Sequence, residues 1–197
     1  MGIKSKIKKF WNWFEANSKE LQSDNISNKM IDELNGKVLN LGDFSWEVRE
    51  GINKQNLFIV SPGGDPQLLL KTKEIIELAP QSLPEWEFLD CKPPKDWDYQ
   101  LSIDESGVKK MVDASNWEYV LFRFQDNSFD IVIKTSGLRF SNFDEKYNIV
   151  DTVLESILGE RLSLSLIKNV EIVDEFNEVD IKNRGSIKDL QNHILEN

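Results

Sequence analysis

Chemically versatile side chains are scarce in this chain. Its 197 residues include one cysteine, Cys91, and one histidine, His193. A lone thiol excludes an internal disulfide, and without an export signal it fits a reducing cytoplasm. A zinc centre needs four clustered Cys, His or carboxylate ligands, and one cysteine far from one histidine does not supply it. Nor does either residue sit in a local signature of a nucleophile and its base. His193 reads as a partly exposed surface side chain, and Cys91 as a small, half-buried apolar one.

Long apolar runs are missing as well. None approaches the roughly 20 residues that span a bilayer. The basic N-terminus has neither an apolar h-region nor a small-residue cleavage site, so no signal peptide is expected and the expected location is cytoplasmic. Positive charge is in deficit: Lys and Arg number 24 against 34 Asp and Glu, a net charge of −10. Four of the lysines, Lys4, Lys6, Lys8 and Lys9, gather at one end, which leaves the body still more acidic. Such a body repels phosphate backbones, so nucleic acid is excluded as an expected partner and a basic protein is the more natural one.

Familiar ligand loops are absent too. No D-x-[DN]-x-[DN]-G calcium loop occurs, and "DEFNEVD" and "DNSFD" read as solvated charge. "SPGGDP" follows a strand and opens a helix, as a phosphate cradle does. It lacks the G-K-[ST] ending, and Asp65 puts negative charge where a phosphate would sit, so it reads as a glycine turn and helix cap. "EYVLFRF" places aromatics on a strand without the glycine that lets RNA approach. No catalytic residue, metal ligand or cofactor is assigned. Carboxylates alone leave an enzymatic opening: Glu47, with Glu85 and Glu87 on another strand, could meet across a sheet for acid–base work, with magnesium as an option.

What is present is a globular composition, 40% hydrophobic and 29% charged, with enough chain for one core or two small ones. At 100° per residue the opening stretch "KSKIKKFWNWFEANSKEL" gathers Ile3, Ile7, Phe10, Phe14 and Leu21 into one stripe, with Trp11 and Trp13 on its shoulders. A second helix is expected over 28–41 from Met30, Ile31, Leu34, Val38 and Leu41, with Gly36 a point where it could break. "FSWEVRE" alternates as a half-buried strand and "NLFIVS" as a fully buried one. Asp65 and Pro66 start a helix over 67–79, and "EWEFLDC" follows as a strand. Later, "EYVLFRF" and "SFDIVIK" form a hairpin across "QDN". A helix over 143–158, capped by Gly159, leads to the strand "NVEIVDE". Ser186 and Asp189 open a short terminal helix carrying Ile187, Leu190 and Ile194.

The order strand–strand–helix–strand therefore occurs twice, which raises the question of an internal duplication. The expected class is α+β: antiparallel-rich sheets with helices on one face, preceded by N-terminal helices. The expected divisions are N-terminal helices in 1–42, a first α+β unit in 43–92 and a connector with one or two short strands in 93–116. A second α+β unit in 117–175 and a C-terminal tail with a short helix in 176–197 complete the chain.

Several of these stretches carry a resemblance. "FWNWFEANSKEL", "FSWEV", "LFIVSPGGDP", "ELAP" and "WEFLDCKPP", with "IVDTVLESILGE" more loosely, resemble a bacterial family of uncharacterised proteins. Its members begin with an F-W-x-W-F helix and carry a strand–strand–helix–strand block ending in a W-x-(F/I)-x-x-x-(K/R)-P segment. The resemblance covers most of residues 10–95. It implies a cytoplasmic bacterial protein and brings no activity, cofactor or catalytic residue with it.

Three uses compete for the aromatic helix: a core element, a membrane foot and a handle for a partner. Asn12, Glu15 and Asn17 dilute its amphipathic face and the acidic body opposes anionic lipid, so a membrane role is disfavoured. Core packing is the first expectation, with Phe10, Trp11, Trp13 and Phe14 as candidate partner contacts. The expected function is a non-catalytic interaction module, acting through a protein partner or a homodimer. An inhibitor or immunity protein masking a basic toxin is a special case. The alternative is a carboxylate-dependent enzyme.

Overall fold

The computed structural model describes residues 2–22, 26–105, 108–138 and 143–196. The fold is mixed α+β, with six helices and nine strands among the described residues, and it divides into two compact units, Met1–Lys92 and Pro93–Asn197.

The first unit opens with helix α1 (Ile3–Leu21), a stretch free of proline and glycine. Its buried side carries Ile7, Phe10, Trp11, Phe14, Ser18 and Leu21. Ile3, expected in the same stripe, is 45% exposed at the helix start. Helix α2 (Asn28–Leu39) is capped by the Ser27 side chain, which accepts from the Met30 N–H, and it runs through Gly36 without a break. Met30, Leu34, Val38 and Leu41 turn inward while Ile31 stays exposed.

Strands β1 (Ser45–Glu50), β2 (Asn56–Ser61) and β3 (Trp86–Leu89) form a sheet in that order, β1–β2 antiparallel and β2–β3 parallel. The central strand β2 is buried along its whole length. Between β2 and β3, a 3-10 turn at Pro66–Leu68 leads into helix α3 (Leu69–Glu77), so the expected helix over 67–79 is shorter at both ends. Opposed residues in a sheet share a face. The pairs Trp46–Val60, Val48–Phe58 and Phe58–Phe88 therefore line one side, and the helices pack there.

In the second unit, β4 (Gln100–Glu105) and β5 (Val108–Asp113) make an antiparallel hairpin within the stretch read as a connector. Strands β6 (Glu118–Arg123), β7 (Phe129–Lys134), β8 (Ile167–Val173) and β9 (Gly185–Ser186) form a sheet ordered β8-β7-β6-β9. Helix α4 (Phe143–Leu158) crosses from β7 to its parallel neighbour β8. Gly159 does not end the helical region: at φ +76° it turns the chain into α5 (Glu160–Leu166), which the sequence did not announce. The terminal helix is α6 (Leu190–Leu195), and Ile187, Leu190 and Ile194 join Tyr119, Ile131, Ile133, Val150 and Val153 in one core.

Both units thus pair two antiparallel strands with a third, parallel strand reached through a helix. This common arrangement does not establish an internal duplication.

Candidate functional site

The four rings named as partner contacts lie on α1, and the fold distributes them unequally. Phe10, Trp11 and Phe14 are buried, while Trp13 is half-buried. Phe14 sits 4.8 Å from Phe58 and 4.9 Å from Trp86 between ring centroids, and Trp11 sits 5.0 Å from Phe88. Interlocked rings of this kind add about 0.5–1.5 kcal/mol per pair beyond their burial. Phe10, Trp11 and Phe14 therefore hold α1 to its own sheet. Trp13 keeps surface, with Lys37 Nζ 5.6 Å from its ring centroid.

Beside this core the same helix lines a cleft of about 430 Å3, bounded by Lys4, Lys8, Trp11, Asn12, Glu15, Leu78 and Pro80. Positions 4, 8, 11, 12 and 15 follow the helical repeat, so one wall is a continuous stripe of α1. The facing wall is the chain just past α3. Trp11 Nε1 donates to the Ile75 carbonyl at 2.8 Å and ties the two walls together. The Ser82 hydroxyl donates to the Glu15 carboxylate, which anchors the far end. Leu78 is 47% exposed. Lys6 donates to the Asn40 carbonyl at the end of α2. Lys4 and Lys8 stand exposed on the rim, in no ion pair among the described residues.

The carboxylates considered for acid–base chemistry have other work. Glu87 accepts from the Ile52 and Asn53 N–H groups at 3.1 and 3.0 Å and from Asn53 Nδ2 at 3.2 Å. It thereby closes the turn between β1 and β2. The Asn53 N–H, ahead of the Asn53 side chain and the Ile52 N–H, holds its carboxyl below the usual glutamate range. Glu85 accepts from Gln22 Nε2 at 3.1 Å. Glu47 and Glu87 are on the outer strands with β2 between them, in register with Ile59 and Leu57. That separates their backbones by about 10 Å across the sheet and a further two residues, about 7 Å, along it. Among the described residues, no group of three or more His, Cys, Asp or Glu is placed to hold a metal ion.

The remaining motifs resolve into local structure. Asp65 accepts from the Gln67 N–H at 2.8 Å, so its carboxylate occupies the helix start that a phosphate would need. Gly63 and Gly64 supply the positive φ angles of that turn, +63° and +87°. His193 Nδ1 lies 2.8 Å from the Tyr119 hydroxyl and links α6 to β6. Burial, helped by the Asp189 charge, pushes the Tyr119 hydroxyl up to about 12, so it remains protonated at neutral pH. Cys91 is buried.

The cleft escaped sequence reading because its walls are more than sixty positions apart in the chain. Its one sequence signal is the stripe Lys4, Lys8, Trp11, Asn12, Glu15, an aromatic residue within an otherwise polar helical row. No family model, curated relative or solved structure matches the chain. The family likeness therefore stands on its quoted motifs alone. Among the described residues, no helix is long and apolar enough to cross a membrane.

Proposed function

We propose that this chain is a non-catalytic protein-interaction module, acting through a protein partner or by self-association in the cytoplasm of a bacterium. The observation that supports it is the cleft on α1. There the apolar surface of Leu78 and Pro80, backed by the edge of the buried Trp11, is left open beside two lysines that form no ion pair within the described residues. Apolar surface framed by charge is the usual composition of a docking site. The carboxylate-enzyme alternative gains nothing from the geometry: Glu87 is a turn staple and Glu85 a partner of Gln22.

Sedimentation velocity over a range of concentrations, run alongside affinity capture on the immobilised chain, tests this reading. A concentration-dependent mass or a reproducible stoichiometric partner is expected. A strict monomer that repeatedly captures nothing above blank resin would overturn it.

A further inference from the structure

We propose that the cleft between α1 and the end of α3 receives an acidic peptide segment of a partner protein. The segment places an aliphatic or aromatic side chain against Leu78 and Pro80 and sets Asp or Glu against Lys4 and Lys8. This rests on the interaction reading and gives it a site and a ligand chemistry.

The dimensions suit a segment rather than a folded surface. From Lys4 to Glu15 the wall runs about 16 Å, three turns of helix at about 1.5 Å per residue. The cleft's volume of about 430 Å3 lies near the lower end for ligand clefts and accepts a few side chains. An exposed leucine by itself means little. Leu78 differs because it stands beside half-buried Pro80 over the edge of the buried Trp11 ring in one concave lining, so its surface is continuous with other apolar groups.

Charge selects the occupant. The chain as a whole is acidic, at −10, which taken alone favours a basic partner. At the Lys4–Lys8 end of this cleft the sign is reversed. Lys4 and Lys8 lie one helical turn apart, and like charges at that spacing destabilise a helix. The described residues provide no carboxylate to relieve them, whereas Lys6, pointing elsewhere, is already bonded to Asn40. A carboxylate delivered to the rim relieves the repulsion and gains charge-assisted hydrogen bonds. Glu15, held by Ser82 at the opposite end, repels acids there and so orients the segment. A bilayer fits less well, because Phe10 and Phe14, the rings a membrane foot would present, face inward.

Selection from a random dodecapeptide display library on the full-length chain tests the proposal. Enriched sequences are expected to join Asp or Glu to a Leu, Ile or Phe anchor. Binding of the resulting peptides should fall about tenfold or more with the double substitution Lys4→Glu, Lys8→Glu, and separately with Leu78→Gln. Circular dichroism and the urea midpoint should match the parent for both variants. Enrichment of basic or uncharged peptides, no enrichment, or binding indifferent to these substitutions would overturn the groove assignment. So would phosphatidylglycerol vesicles capturing the chain when peptides do not, or a change in self-association as the sole effect of the lysine substitutions. A natural partner retained by the double variant would remove the groove while leaving the interaction reading intact.

Discussion

Trp11 belongs to two structures at once. Its ring completes the aromatic core, and its edge backs the lining of the cleft, with Nε1 bonded to the Ile75 carbonyl. Replacing it by Phe keeps most of the apolar volume and removes the indole donor, leaving that carbonyl only the Leu78 N–H at 3.3 Å. A loss of about 1–2 kcal/mol is expected from urea unfolding. Phe14, fully buried among Phe58, Trp86 and Phe88, is more costly: Phe14→Ala should remove about 3–5 kcal/mol. Glu87 makes a pH-dependent contribution. Its folded carboxyl titrates below the ordinary value, so its stabilisation is complete above the unfolded pKa and disappears as pH falls through the folded one. Glu87→Ala is expected to cost about 1 kcal/mol at neutral pH, a figure discounted for its solvent exposure. The gap between the parent and variant urea midpoints should close below about pH 4.

At the scale of elements, two glycines make opposite demands. Gly36 lies inside α2, and a Cβ built there meets nothing within 4 Å. Gly36→Ala should therefore raise stability by about 1 kcal/mol, through helix propensity and a less flexible unfolded chain. Gly159 has φ +76° and ψ 152°, a region nearly reserved for glycine, and a Cβ would come within 2.8 Å of Pro94 Cδ. Gly159→Ala should lower the thermal midpoint, at a cost of about 2 kcal/mol or more. These two positions also show what the sequence made legible. The 3.6-residue spacing of Ile7, Phe10, Phe14 and Leu21 declared a buried helix face, and the unbroken apolar run Leu57–Val60 declared an interior strand. Local chemistry identified the Asp65 and Ser186 caps, whose side chains accept from Gln67 and Lys188 N–H groups. What local pattern could not encode was set by distant neighbours. Strand β9 is two residues long and exists because Trp117, Glu118 and Tyr119 hold it. Likewise, α5 follows a glycine that sequence alone presents as a stop. The cleft needed Leu78 and Pro80 brought back to α1, which no periodicity foretells.

For the molecule as a whole, the feature that connects sequence to function is the mismatch between its overall charge and the charge around the cleft. A body at −10 keeps acidic proteins away at long range, while within about 8–10 Å, the Debye length at physiological salt, the lysine rim dominates what a docked segment feels. Substitutions on that rim should act on association and leave folding alone, the reverse of what is expected for Phe14. The most direct test is affinity capture from the cells that make this protein, quantified by mass spectrometry on the parent chain, on the Lys4→Glu, Lys8→Glu variant and on blank resin. A protein recovered in stoichiometric amount by the parent and depleted on the variant is the expected result. The same recovery on all three supports would contradict an interaction module working through α1.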